Sequence, residues 1–211
     1  MSKKDFLQNL MTAAPVVPVV VIDDPKKAVD LAKALVAGGL PAIEITLRTP
    51  NALECIRAVA QEVEGAIAGA GTVLNAEQMA QVEKAGAKFM VSPGVSPNLL
   101  AAAKDCEVAL LPGAATSSEM MTLGEHGFEH LKFFPAGAAG GANYLKSISS
   151  PLPQFKICPT GGVSLSNAMD YLSLPNVLCV GGSWVAPQKL IDANDWAGIE
   201  KLASDAAALT A

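Results

Sequence analysis

Lys132 is the residue of this chain best placed to do chemistry. It lies in His130-Leu131-Lys132-Phe133-Phe134-Pro135, an apolar run closed by a proline. Such a run reads as the end of a short buried strand. An ammonium there is expensive unless it is paired or neutral. A strand-end lysine can also snorkel to water, and this stretch alone leaves that reading open. The alternative is a desolvated amine, and an amine attacks a carbonyl only in its neutral form.

Three further features bear on the choice. Glu44, Thr46 and Arg48 alternate with Ile43, Ile45 and Leu47. Side chains alternate along a strand, so the polar three share one face and the apolar three the other. A glutamate and an arginine on one face make either an internal ion pair that only holds the fold, or a general base beside an anion clamp. Two inward charges in a chain with only 17% charged residues favour the second. Gly69-Ala70-Gly71-Thr72 removes side chains where something must come close, and adds a hydroxyl. Pro159-Thr160-Gly161-Gly162-Val163-Ser164 and Gly181-Gly182-Ser183-Trp184 supply two Gly-Gly turns whose N–H groups can cradle an anion. A lysine and a glutamate, with no nucleotide fingerprint nearby, suit Schiff-base chemistry on a ketone.

These groups need a scaffold, and strand and helix alternate along the whole chain. A short helix over Asp5 to Met11 is followed by a β-branched run, Val16 to Ile22, of the kind buried on both faces of a parallel sheet. Further strands are predicted at Ala42–Thr46, 66–70, 88–91, 108–111, 130–133, 155–158 and 177–180. Helices are predicted between them, and Trp196 to Leu209 closes the chain. The Asp24-Pro25 start and Gly38-Gly39 end of the first intervening helix show the expected asymmetry. Eight strand–helix units of roughly 26 residues each fit a (β/α)₈ TIM barrel, a single domain over residues 1–211 with a short N-terminal helix. Chemistry in such a barrel sits at the C-terminal strand ends, and phosphate at the loops after strands 7 and 8. Lys132 then closes the sixth strand, and the two Gly-Gly turns follow the seventh and eighth. Ser92-Pro93-Gly94 and Pro112-Gly113-Ala114 read as ordinary turns.

Composition narrows the partners. A net charge of −5 with no basic cluster speaks against nucleic acid. No apolar run is long enough to span a bilayer, and Met1 to Phe6 carries charges and no apolar leader, so a cytoplasmic protein without a membrane partner is expected. Cys55, Cys106, Cys158 and Cys179 are scattered and mostly in apolar surroundings, as suits reduced thiols. His126 and His130 stand in no metal-ligand spacing, so neither metal nor cofactor is expected. His130 shares the parity of Lys132 but lies deeper, as a packing residue.

Seven stretches together resemble one family. They are Pro15–Val19, Glu44–Thr49, Gly69–Leu74, Val91–Gly94, Lys132–Ala136, Cys158–Gly162 and Gly181–Trp184. The chain resembles the 2-keto-3-deoxy-6-phosphogluconate (KDPG) aldolases, class I pyruvate aldolases, over nearly its whole length. The resemblance implies that Lys132 forms the Schiff base with pyruvate or the keto acid, and that Glu44 shuttles protons through a water. It implies that Arg48 and Thr72 hold the pyruvyl carboxylate and that Gly161, Gly162 and Ser183 bind phosphate. Thr160 would orient the aldehyde, and Phe134 would pack near the imine. It further implies cleavage of KDPG to pyruvate and glyceraldehyde 3-phosphate in the Entner-Doudoroff pathway, a side activity on 4-hydroxy-2-oxoglutarate, and a homotrimer. Gly137 departs from the family, where an acidic residue is common, and leaves the loop contacts there open. Three rivals stand beside this reading: an aldolase for the galactonate epimer, a non-catalytic barrel holding pyridoxal phosphate on Lys132, and a sugar-phosphate isomerase or decarboxylase.

Overall fold

The computed structural model describes residues 1–209. Helix α1 (Lys3–Thr12) precedes strand β1 (Val16–Val20). There follow α2 (Pro25–Ala37), β2 (Ala42–Thr46), α3 (Ala52–Glu62), β3 (Ile67–Gly71), α4 (Ala76–Lys84), β4 (Phe89–Val91), α5 (Pro97–Asp105) and β5 (Ala109–Leu111). The second half holds β6 (Gly113–Ala114), α6 (Ser117–Glu125), β7 (His130–Phe133), α7 (Gly141–Ile148), β8 (Lys156–Pro159), α8 (Ala168–Leu172), β9 (Val180–Gly182), α9 (Gln188–Asp192) and α10 (Trp196–Ala207). Local chemistry starts the helices. Asp24 accepts from the Lys26 and Lys27 N–H groups ahead of α2, and Ser2 and Asp5 cap α1 reciprocally.

Every strand pair is parallel, in an α/β fold with a curled sheet. One set runs β5-β4-β3-β2-β1-β9 and the other β6-β7-β8. Pro112 separates β5 from β6, as a residue without an N–H must interrupt a ladder. Its carbonyl still accepts from Lys132 N–H. Isolated bridges, Ile157 with Val177 and Thr160 with Gly181, join the second set to the segment around β9.

The two faces of the sheet bury different residues. Ile43, Ile45, Met90, Leu110, Leu131, Phe133 and Ile157 face outward and pack on the helices. Ala42, Phe89, Val91, Ala109, Leu111 and Cys158 face inward, with Leu7, Leu10 and Met11 of α1 closing them from below. Each set keeps the period of two that a pleated strand imposes. The inner space is tight: a Cβ on Gly69 would collide with the Phe89 ring.

His130 occupies the lower end of β7. It is buried, with Nε2 2.8 Å from Gln8 Oε1, so it ties α1 to the strand that carries Lys132. Burial holds its imidazole below the ordinary 6.5. The unfolded chain therefore takes up a proton at a pH where folded His130 stays neutral. That part of the stability is present above 6.5 and is lost as pH falls through the folded value. Urea unfolding midpoints measured from pH 8 to pH 5 are expected to drop below pH 6.5, and His130→Asn is expected to flatten the drop.

The structure departs from the sequence expectation in five places. The fifth strand is two segments split at Pro112, and Gly113–Ala114 is strand, where a turn is predicted. The last strand begins at Val180, because pairing with β1 starts only at Val16–Val180 and Val177 makes a single bridge. The helix expected over Tyr144 to Ile148 starts earlier, as α7 at Gly141, with Gly140 in the left-handed region at φ 107°. Helix α9 is an addition to the pattern, and it starts directly after Pro187. The Trp196–Leu209 helix ends at Ala207.

Candidate functional site

Lys132 pairs with Gly113 on one side and Cys158 on the other, and its side chain enters the inner space. Glu44 pairs with Val19 and Gly69 and enters from across the sheet. The two meet: Lys132 Nζ is 3.5 Å from Glu44 Oε1, with the residues 5% and 3% exposed. Lys132 therefore does not snorkel. Its Nζ lies 5.3 Å from the centre of the Phe134 ring, which covers it from above the strand end.

The ion pair that sequence parity allowed between Glu44 and Arg48 is absent. Strand β2 ends at Thr46, and Arg48 stands in the exposed turn beyond it. Thr46 keeps the inward parity but is fully buried, and its hydroxyl is spent on Val20 O at 2.9 Å. Two bonds hold the turn: Leu47 N–H donates to Gly71 O, and the Thr49 hydroxyl donates to Ile22 O at 2.7 Å. Arg48 is thus a cation fixed at the mouth, separate from the buried pair.

Gly71 explains itself through Glu44. A Cβ there would fall on the Glu44 carboxylate. Gly71→Ala is expected to push the carboxylate away from Lys132 and to lower turnover by about 10²-fold, the size of an error of about 1 Å in a catalytic group. A thermal melt close to wild type alongside that loss would separate misplacement from unfolding.

Strands β8 and β9 end in the two Gly-Gly turns. Gly161 and Gly162 take φ of 91° and 79°, a conformation that needs glycine. Asn167 staples the loop: its side-chain amide donates to Gly162 O at 3.0 Å, and its Oδ1 accepts from Ser164 N–H at 2.8 Å. Among the described residues, the N–H groups of Gly162 and Val163 have no protein acceptor. On the opposite turn, Gly181 leaves room for the Thr160 side chain and Gly182 for the Trp184 ring. Gly137 lies against Gly161 O and Gly162 Cα, and a Cβ there would make ordinary contacts at 3.5 Å. The loop therefore tolerates a side chain at that position and does not force glycine.

One cavity of about 290 Å³ brings these groups together. Its lining holds all nine residues singled out from the sequence: Glu44, Arg48, Thr72, Lys132, Phe134, Thr160, Gly161, Gly162 and Ser183. It also holds Val19, Val21, Pro93, Val163, Gly181 and Gly182. Val19 and Val21 belong to a run read as buried on both faces, so its parity went unused. Pro93 read as an ordinary turn; its carbonyl sits where a Gly113 Cβ would be, so that turn is locked to β6. The cysteines shift in different directions: its hydrogen bond with Cys179 holds the Cys158 thiol below the usual value, against the effect of burial, and the Lys132 charge adds to this. The same bond, together with burial, pushes Cys179 well above the usual value. Cys55 is pushed up to about 11 by burial and by Asp23 and Asp24.

The family model for KDPG and KHG aldolases matches residues 7–202. The chain belongs to this family. A 2-dehydro-3-deoxy-phosphogluconate aldolase of Pseudoalteromonas atlantica is 52% identical over 201 residues, covering 95% of this chain and 94% of the relative. Among solved structures, a KDPG aldolase of Legionella pneumophila, with pyruvate captured at low pH as a covalent carbinolamine, is 44% identical at a TM-score of 0.92. That match covers 94% of this chain and 97% of the other. A KDPG aldolase of Zymomonas mobilis with 3-phosphoglycerate is 46% identical at a TM-score of 0.92, covering 98% and 97%. This member of the KDPG and KHG aldolase family carries a buried lysine–glutamate pair under a glycine-lined mouth.

Proposed function

We propose that this chain is a class I aldolase that reversibly cleaves KDPG to pyruvate and glyceraldehyde 3-phosphate. The observation that carries the reading is the buried Lys132 amine 3.5 Å from the Glu44 carboxylate, inside a cavity that opens onto glycine turns. The carbinolamine of the Legionella relative supports a lysine adduct with pyruvate, and the 3-phosphoglycerate of the Zymomonas relative supports a phosphorylated three-carbon ligand.

Lys132 Nζ attacks the C2 ketone of KDPG, and water leaves to form the imine. The imine is an electron sink. Glu44 takes the C4 hydroxyl proton, through a water, as the C3–C4 bond breaks. Glyceraldehyde 3-phosphate leaves. The pyruvate enamine is protonated, and water releases pyruvate from the lysine. Arg48 and Thr72 hold the pyruvyl carboxylate from the mouth. Gly161, Gly162 and Ser183 bind the phosphate, with the free N–H groups of the first Gly-Gly turn as donors. Thr160 orients the aldehyde, and Phe134 covers the imine. The same chemistry extends to 4-hydroxy-2-oxoglutarate.

The scaffold of this reading is a single domain over residues 1–211, closed as a (β/α)₈ barrel. Two features support closure: the inner and outer apolar faces, and the bridges that link β8 to the segment around β9. The expected assembly is a homotrimer in the cytoplasm. Among the described residues no helix is long and apolar enough to cross a membrane.

Borohydride reduction in the presence of pyruvate, followed by peptide mapping, tests the reading. A single pyruvyl adduct on Lys132 is expected. An adduct on another residue, or none, would overturn it. Product ratios with the gluconate and galactonate epimers separate this aldolase from its nearest rival.

A further inference from the structure

A second cavity lies at the other end of the strands, between α1 and the foot of the sheet. Its volume is about 200 Å³. Buried Leu7, Leu100 and Leu110, with half-buried Phe128, form an apolar floor. The lining also gathers both histidines of the chain and three lysines against one carboxylate, in a protein whose net charge is −5. The catalytic reading uses none of these residues.

The charges there are not all spent on the fold. Lys4 Nζ pairs with Glu129 at 2.7 Å, so the one carboxylate is already neutralised. Lys3 donates to the carbonyls of Ala103 and Cys106 at the end of α5, and so ties α1 to that helix. His130 is bonded to Gln8. Lys104 and His126 remain. Both are exposed, both line the cavity, and among the described residues neither side chain has a hydrogen bond or ion-pair partner.

An apolar floor with an unpaired lysine and an unpaired imidazole at its rim has a defined complement. The floor takes a hydrocarbon body, and the rim takes an anion. An apolar cavity of about 150 Å³ accommodates benzene, so this volume suits one ring with a small charged group. A carboxylate fits the rim, since Lys104 and His126 both present N–H donors.

We propose that this cavity is a binding site for a small organic carboxylate, an anion on an apolar body the size of one aromatic ring. The occupant would lie against α1, the helix whose Leu7, Leu10 and Met11 close the inner face below Lys132. The site is separate from the catalytic cavity: their linings share no residue.

Benzoate titrated into the full-length isotope-labelled protein, followed by amide chemical shifts, is the test. Saturable shifts are expected at Leu7, Ala103, Gly127 and Phe128. Benzamide, the neutral isostere, is expected to bind at least threefold more weakly. Lys104→Glu and His126→Ala lie at exposed positions and leave the floor intact. Lys104→Glu is expected to weaken benzoate by about fivefold, the range of one exposed ion pair, and His126→Ala, which removes one hydrogen-bonding group, by less. Equal binding of benzoate and benzamide would overturn the proposal. So would shifts confined to Thr72, Gly161 and Gly162, or no saturable shift at these amides.

Discussion

Lys132→Arg is expected to abolish both borohydride trapping of pyruvate and KDPG cleavage, while the protein stays folded. Arginine keeps the positive charge opposite Glu44 but never loses its proton in a protein, so it has no lone pair for the ketone. Loss of a covalent nucleophile lowers turnover by something on the order of 10⁶-fold. Lys132→Ala is expected to lose activity equally but to fold less stably. Glu44 is only 3% exposed and Lys132 is its ion-pair partner, so removal leaves a buried carboxylate alone. Breaking a buried pair in that way costs about 3–5 kcal/mol. Turnover, trapping and urea midpoints of the two variants make the comparison. Trapping that survives in Lys132→Arg would remove Lys132 from the chemistry. Equal midpoints for the two variants would show that the pair contributes nothing to stability.

Much of this was legible because a strand's period of two is a hard constraint. Leu131 and Phe133 had to face one way and His130 and Lys132 the other, and they do. Glu44 was assigned inward on the same ground. Parity could not name its partner. Arg48 was four residues away in sequence, while Lys132 is 88 away, and only the curl of the sheet brings β7 opposite β2. Arg48 follows the end of β2, where the period lapses, so its side chain reaches the mouth by way of a turn.

Other gaps have equally local causes. The inward side of Val19 and Val21 was hidden because a β-branched run looks alike on both faces. Thr46 shares the parity of Glu44 but stays out of the cavity lining, since its hydroxyl bonds to a neighbouring strand's carbonyl. Gly71 read as a place where something must come close, but not what: its missing Cβ is space for a carboxylate from the neighbouring strand. Contacts between strands of this kind are not written in the sequence around either residue.

Glu44→Gln tests the proton-transfer half of the mechanism separately from the nucleophile. Glutamine fills the same space above Gly71 and can still hydrogen-bond, but it cannot accept the C4 hydroxyl proton. Imine formation is expected to persist, seen as borohydride-dependent labelling of Lys132. Cleavage is expected to slow by about 10²–10⁴-fold, the contribution of a positioned general base. The same group should serve the return step, in which the enamine takes a proton at the pyruvate methyl carbon. Deuterium exchange into the pyruvate methyl group, followed by NMR, reads that step without any aldehyde present. If one carboxylate serves both transfers, cleavage and exchange fall by similar factors. If exchange stays near wild type while cleavage drops, a second group protonates the enamine and Glu44 acts only in bond breaking. Glu44→Asp refines the geometry. It keeps the carboxylate but draws it back by one methylene from a separation already at 3.5 Å, so turnover is expected to lie between wild type and the glutamine variant. Turnover unchanged in Glu44→Gln would remove Glu44 from the mechanism altogether and leave its burial beside Lys132 as an ion pair of the fold.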